Sequence, residues 1–148
     1  MKEFEILDIS GDVGLKAFGE SRVDAFISAA IGMYSLITNL DTIEERQSID
    51  VSLGSGSLEG LLVSWLNELI FRFDAYGFIG KRIVIKEFPD ETGKPVSLQA
   101  CELKAVIYGE EFNPERHEGK LLIKAATYHR LKMEKKDDQW EVNVIFDI

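Results

Sequence analysis

The sequence predicts an α+β fold in which two amphipathic helices cover antiparallel β-sheet, in the order ββαβαββββ. Three observations carry that prediction. Two segments repeat apolar residues at helical spacing. Four strand-like stretches follow the second helix, with hairpin turn signals between them. The last of these, Trp140 to Ile148, places an apolar residue at every second position through its final one.

The elements read as follows. Phe4 to Ile9 and Val13 to Gly19 are strands joined by the turn Ser10-Gly11-Asp12. Ser21 is an N-cap for a helix whose apolar face is Phe26, Ala29, Ala30, Met33, Tyr34 and Ile37, with Asn39 at its end. A short strand covers Ser48 to Leu53. Gly54-Ser55-Gly56-Ser57 then enters a helix with one wide apolar stripe, from Leu58 through Trp65 to Phe73, and Gly77 ends it. Strands are expected over Arg82 to Phe88, Val96 to Tyr108, Leu121 to Glu134 and the terminal stretch. Turns fall at Pro89-Asp90-Glu91-Thr92-Gly93 and at Asp137-Asp138.

With 148 residues the chain fits a single domain, 1–148, with a core that needs no staples. No signal-like N-terminus or bilayer-length apolar run is visible, so a cytoplasmic location and no membrane partner are expected. The lone Cys101 has no internal disulfide partner and reads as a buried, inert thiol. The formal net charge is −9, from 26 acidic and 17 basic residues. No basic face for nucleic acid stands out, because Lys132, Lys135 and Lys136 are interleaved with Glu134, Asp137 and Asp138. Cations, or a protein with a basic surface, are the expected partners.

The terminal strand concentrates the chemistry. A strand that is apolar through Ile148 fixes the terminal carboxylate one residue from that of Asp147, and two held anions call for a counter-charge. On the strand Leu121 to Glu134, the odd positions read as core-facing. A terminal hairpin would then set Asp147 on the face of Lys124, with Tyr128 or Arg130 opposite. The pattern fits a cross-strand ion pair as well as a cation site. Asp12, between two glycines, is either an Asx-turn residue or a third carboxylate. Asp12, Asp147 and the Ile148 carboxylate would together form a hard-oxygen site suited to calcium, magnesium or manganese.

His129 falls on the inward-leaning face, as a structural histidine or a residue behind a metal ligand. The loop from Gly109 to Arg116 and His117 is a contact surface or a solvated connection. Gly54-Ser55-Gly56-Ser57 lacks a P-loop lysine, and no Gly-x-Ser-x-Gly or His-Glu-x-x-His is present.

In order along the chain, the marked segments resemble the archease family. They are Leu7-Asp8-Ile9-Ser10-Gly11-Asp12-Val13-Gly14, Leu61 to Leu69, Tyr108-Gly109-Glu110 with Arg116-His117, Ile123 to His129, and Val144-Ile145-Phe146-Asp147-Ile148. The resemblance implies a non-enzymatic accessory protein that promotes guanylylation and multiple turnover of an RtcB-type tRNA-splicing RNA ligase, meeting RNA only through that ligase. It implies a metal on Asp12, Asp147 and the terminal carboxylate of Ile148, and a working role for Lys124. The family usually has His-Thr-Ala-Asp where this chain has Ile9-Ser10-Gly11-Asp12. A residue that cannot ligate, donate or titrate therefore stands in the histidine's place. The rival readings are a metal-dependent phosphohydrolase using the same carboxylates, and a chaperone-like binding module without metal.

Overall fold

A computed structural model describes residues 3–9, 11–89 and 101–148. The elements are β1 (Phe4–Ile9), β2 (Asp12–Gly19), α1 (Arg22–Ile37), β3 (Gln47–Ser55), α2 (Leu58–Tyr76), β4 (Phe78–Glu87), β5 (Cys101–Glu111), β6 (Ala125–Lys136) and β7 (Gln139–Asp147). A single 3-10 turn at Leu40–Thr42 follows α1. The order ββαβαββββ is the expected one.

The strands divide between two antiparallel sheets, ordered β1-β2-β7-β6 and β3-β5-β4. Each helix touches both sheets. That contact explains why α1 buries residues around most of its circumference rather than along one stripe. Phe26, Met33 and Tyr34 of α1 and Trp65, Leu66 and Leu69 of α2 are fully buried. The two helices are tied by the Trp65 indole N–H, which donates to the Phe26 carbonyl at 3.1 Å.

Local chemistry sets the element ends. Ser21 accepts from the Asp24 N–H, as expected of its N-cap, and Ser57 caps α2 by accepting from the Gly60 N–H. α2 stops at Gly77, whose left-handed φ of 72° lets its N–H return to the last turn. α1 ends at Thr38, and Asn39 caps the following 3-10 turn instead. At the β6–β7 hairpin, Asp137 and Asp138 take φ of 49° and 64°. Two left-handed residues in a two-residue loop match the twist of the flanking strands. The stretch 96–100 and most of the predicted turn after Phe88 lie outside the described residues, as does the Cys101 side chain.

The largest departure from expectation is in β6, which begins at Ala125 rather than Leu121. Ala125, Ala126 and Thr127 pair with Asp147, Phe146 and Ile145, then the ladder resumes at Lys132 opposite Asn143. Five steps along β6 thus face two along β7, a surplus of three residues. The bulge breaks the parity rule applied to this hairpin. Odd-to-even pairing holds from Lys132 to the tip but fails at Ala125–Thr127, and Ala126 is the core-facing residue there.

Asn67 of α2 secures the start of β6. Its side chain accepts from the Ala126 N–H at 2.8 Å and donates to the Ala126 carbonyl at 3.2 Å. Replacing Asn67 with Ala leaves two part-buried backbone groups without partners. It should lower the unfolding free energy by about 1–3 kcal/mol, readable in urea denaturation; a loss within error of zero would show that the contact holds nothing.

Candidate functional site

In the four-stranded sheet, the pairing of β2 with β7 places the carboxylates. Val13 pairs with Phe146, and each further step keeps the same register to Gly19 and Trp140. The ladder's last pair at this end is Val13 with Phe146, and Asp12 and Asp147 are the next residues outward on the two strands. Val13, Leu15 and Ala17 of β2 and Val142, Val144 and Phe146 of β7 are buried toward the helices. Asp12 and Asp147 therefore share the opposite face. β1 and β6 complete the row, since Ile9 pairs with Asp12 and Ala125 with Asp147.

The next row inward is Leu7, Gly14, Ile145 and Thr127. Gly14 has a steric reason: a Cβ there would lie 2.9 Å from Ile9 Cδ1 and 3.1 Å from Leu7 Cβ. Leu7 and Ile9 close over Gly14, and Ile145 is only 5% exposed although it faces away from the core. The carboxylate row thus stands beside a small apolar patch, where a bound cation would be less screened than in open water.

Among the described residues, no His, Cys or third Asp or Glu side chain joins Asp12 and Asp147 in a metal-binding group. The donors available are oxygen alone, which fits a hard divalent cation and not a nitrogen- or sulfur-seeking one. Gly11, at φ 81°, makes the turn that delivers Asp12 to the end of β2.

Lys124 differs from its expected position. Opposite Asp147 stands Ala125, not Tyr128 or Arg130. Lys124 meets the site through its backbone, whose N–H donates to the Asp147 carbonyl at 2.8 Å. Its side chain is exposed. His129 is also exposed, rather than leaning inward, because the bulge carries it out of the ladder. Within the bulge, Arg130 adopts φ 53°, a left-handed conformation that costs a side-chain-bearing residue about 1–2 kcal/mol. Thr127 holds its base, donating its hydroxyl to the Ile145 carbonyl at 2.8 Å and accepting from the His129 N–H at 3.3 Å.

Arg116 and His117 belong to a different cluster, built on Glu110 at the end of β5. Glu110 is buried, as is His117. The Glu110 carboxylate accepts from the Glu44 N–H at 2.6 Å and from Arg116, and lies 3.5 Å from Arg46 Nε. His117 accepts at Nδ1 from the Asn113 N–H at 2.8 Å, which leaves its ring proton on Nε2, 3.4 Å from Glu110. Gly109 permits this strand end, since a Cβ there would stand 1.9 Å from the Ile79 carbonyl oxygen. The loop is thus neither a free contact surface nor merely solvated; its inner side is a buried polar network. Sequence reasoning quoted Glu110 within a family segment but assigned it no role. The only signal was an acid beside a glycine in a strand, followed six residues later by Arg-His.

Burial is the largest influence on the Glu110 carboxyl and works against its ionisation. The Glu44 N–H, Arg116, His117 and Arg46 together outweigh it and hold the group below the ordinary carboxylate range.

Comparison with known proteins follows the whole length of this geometry. Residues 4–148 match the model of the Archease protein family. Protein archease of Pyrococcus abyssi is 34% identical, with 100% of each chain covered. Protein archease of Methanosarcina acetivorans is 33% identical over 99% of this chain and 97% of its own. The solution structure of Methanobacterium thermoautotrophicum protein 1598 superposes with a TM-score of 0.80 at 29% identity, covering 100% of both chains. The crystal structure of an archease from Thermotoga maritima, described as a possible chaperone, gives 0.63 at 20% identity over 96% and 94%, a likeness of fold.

Because Glu110 ionises more readily in the folded protein, its stabilising effect is complete above its unfolded value, near 4.5, and is lost as pH falls through its lower folded value. Glu110→Gln should cost about 1.5–3 kcal/mol at pH 7. The gap to wild type should narrow in denaturation curves taken from pH 5 down to pH 2. A constant gap over that range would mean that the carboxyl is not the titrating group.

Proposed function

This chain belongs to the archease family, and we propose that it is an accessory protein that promotes guanylylation and turnover of an RtcB-type tRNA-splicing RNA ligase. It does so without catalysing a reaction of its own, in the cytoplasm, and meets RNA only through the ligase. The observation that carries this reading is the β2–β7 register, which brings the ends of Asp12's and Asp147's strands together on one side of the sheet.

In this proposal Asp12 and Asp147 hold a divalent cation, calcium before magnesium or manganese, with the Ile148 carboxylate as the third donor. The hardness of carboxylate oxygen donors and the apolar neighbours Leu7 and Ile9 support it. When bound, the cation supplies positive charge that can neutralise phosphate oxygens during nucleotide transfer. The protein's own residues act around it. Asp12 and Asp147 fix its position on rigid strand ends. Lys124, whose backbone is tied to Asp147 and whose side chain is exposed, presents a second cationic group toward a partner's phosphates. Ile9 contributes packing alone, so no proton passes through that position.

The Thermotoga relative's description as a possible chaperone agrees with action on a protein partner. No helix among the described residues is long and apolar enough to cross a membrane.

Calcium calorimetry tests the cation. Asp12→Asn should weaken binding roughly tenfold or more, since affinity follows the number of ligand charges. Residues appended after Ile148 should weaken it as well; equal affinity in the extended chain would remove the terminal carboxylate from the donor set. Guanylylation of a purified ligase, followed with and without the protein, tests the activity. No stimulation by the calcium-loaded protein would overturn the reading, and phosphate release from nucleotides without the ligase would favour the phosphohydrolase.

A further inference from the structure

The four-stranded sheet has two edges, and both border the carboxylates, because Ile9 of β1 pairs with Asp12 and Ala125 of β6 with Asp147. The edges differ in what their outward backbone groups meet. On β6 the N–H and carbonyl of Ala126 are bonded to Asn67, and the bulge follows. On β1 the Phe18 N–H donates to the Glu3 carbonyl at 2.8 Å, and bonded pairs alternate along an antiparallel ladder. Glu3, Glu5, Leu7 and Ile9 therefore turn their backbone groups toward β2. Phe4, Ile6 and Asp8 turn theirs outward, and nothing among the described residues bonds them.

β1 keeps an unbroken register with β2, so neither a bulge nor a proline closes this edge. Ile6 is 54% exposed although its partner Leu15 is buried, which leaves one apolar side chain uncovered beside the free groups. The charges along the edge are acidic. Glu3 and Asp8 are exposed, and among the described residues no Lys or Arg pairs with either. Lys16 stands opposite Glu5, with its ammonium 4.0 Å from Glu141.

We propose that the open edge of β1 accepts an extended segment of the protein partner as an added strand. The segment carries an apolar side chain beside Ile6 and a Lys or Arg beside Asp8. The main-chain groups of Phe4, Ile6 and Asp8 supply the hold, and the side chains select the segment. A basic segment is drawn to this edge, whereas a second copy of a chain with net charge −9 is repelled. Strand addition here lays the partner alongside Asp12, since Ile9 at the end of β1 pairs with it. The proposal rests on the accessory-protein reading and names the docking edge for it.

Amide hydrogen exchange in calcium, with and without a purified RtcB-type ligase, tests the edge. Exchange at Phe4, Ile6 and Asp8 should slow about tenfold or more in the complex, while Glu5 and Leu7, already bonded to β2, change little. Ile6→Pro removes only an outward N–H, which an edge strand tolerates. It should bind the ligase about tenfold more weakly with an unchanged melting temperature. Asp8→Lys leaves every backbone group in place and should weaken binding as well. Phe71→Ala, at an exposed aromatic on α2, should leave binding unchanged. Unaltered exchange at the three alternate residues would overturn the proposal, as would full affinity in Ile6→Pro or in Asp8→Lys. Exchange at those residues that slows with rising concentration of the protein alone would give the edge to a second copy and overturn it too. If wild type stimulates the ligase and the edge variants match it, only the edge proposal fails. If wild type neither binds nor stimulates the ligase, the accessory-protein reading fails and the edge proposal with it.

Discussion

The pairing of β2 with β7 is the constraint on which the remaining architecture depends. It joins a strand that ends by residue 19 to one that begins at residue 139. It also closes the four-stranded sheet by seating β7 between β2 and β6. Without it, β1–β2 and β6–β7 would be separate hairpins, each too small to hold its apolar face against the helices. The register of that pairing decides more than stability. A slip of one residue would turn Val142, Val144 and Phe146 outward and separate the two carboxylates at once. Core burial therefore enforces the geometry of the candidate site.

The helices convert this closure into a core. α1 and α2 touch both sheets, and their contact is fixed by Trp65 bonding to the Phe26 carbonyl. α2 does a second task through Asn67, which reaches out of the core to hold Ala126. That hold fixes the first residues of β6 against Asp147 and Phe146, so the surplus residues must be accommodated farther along, at Tyr128–Leu131. Two elements distant in sequence thus decide where the strand is regular and where it departs.

Much of this was legible in the sequence. The element order, the Ser21 N-cap, the Gly77 stop and the Asp137-Asp138 turn all follow from local rules, because caps and turns are settled by a few adjacent residues. The division into two sheets was not legible, since pairing partners are chosen by contacts across the whole chain. Asp12 and Asp147 were marked as candidates, yet only the β2–β7 register makes them neighbours. The β6 bulge left only a break in alternation, two polar residues between Tyr128 and Leu131, which reads as a structural histidine at an inward position. That single irregularity moved His129 to the surface and put Ala125, rather than Tyr128 or Arg130, opposite Asp147. Glu110 was missed for another reason. Its partners Glu44, Arg46 and Arg116 come from separate segments, and an acid in a strand is ordinarily solvated.

The Asn67 hook on Ala126 has a consequence for how copies of the chain behave in a crowded solution. β6 is the outermost strand of its sheet, and such a strand normally offers a row of free N–H and carbonyl groups on which a second chain can polymerise. Here the row is spoiled twice. A side-chain amide occupies the groups of Ala126, and a few residues later the bulge turns the backbone out of line. Neither interruption leaves enough consecutive free backbone for cross-β growth. The irregularity that disturbs the ladder within one molecule therefore also keeps this edge from templating fibres between molecules.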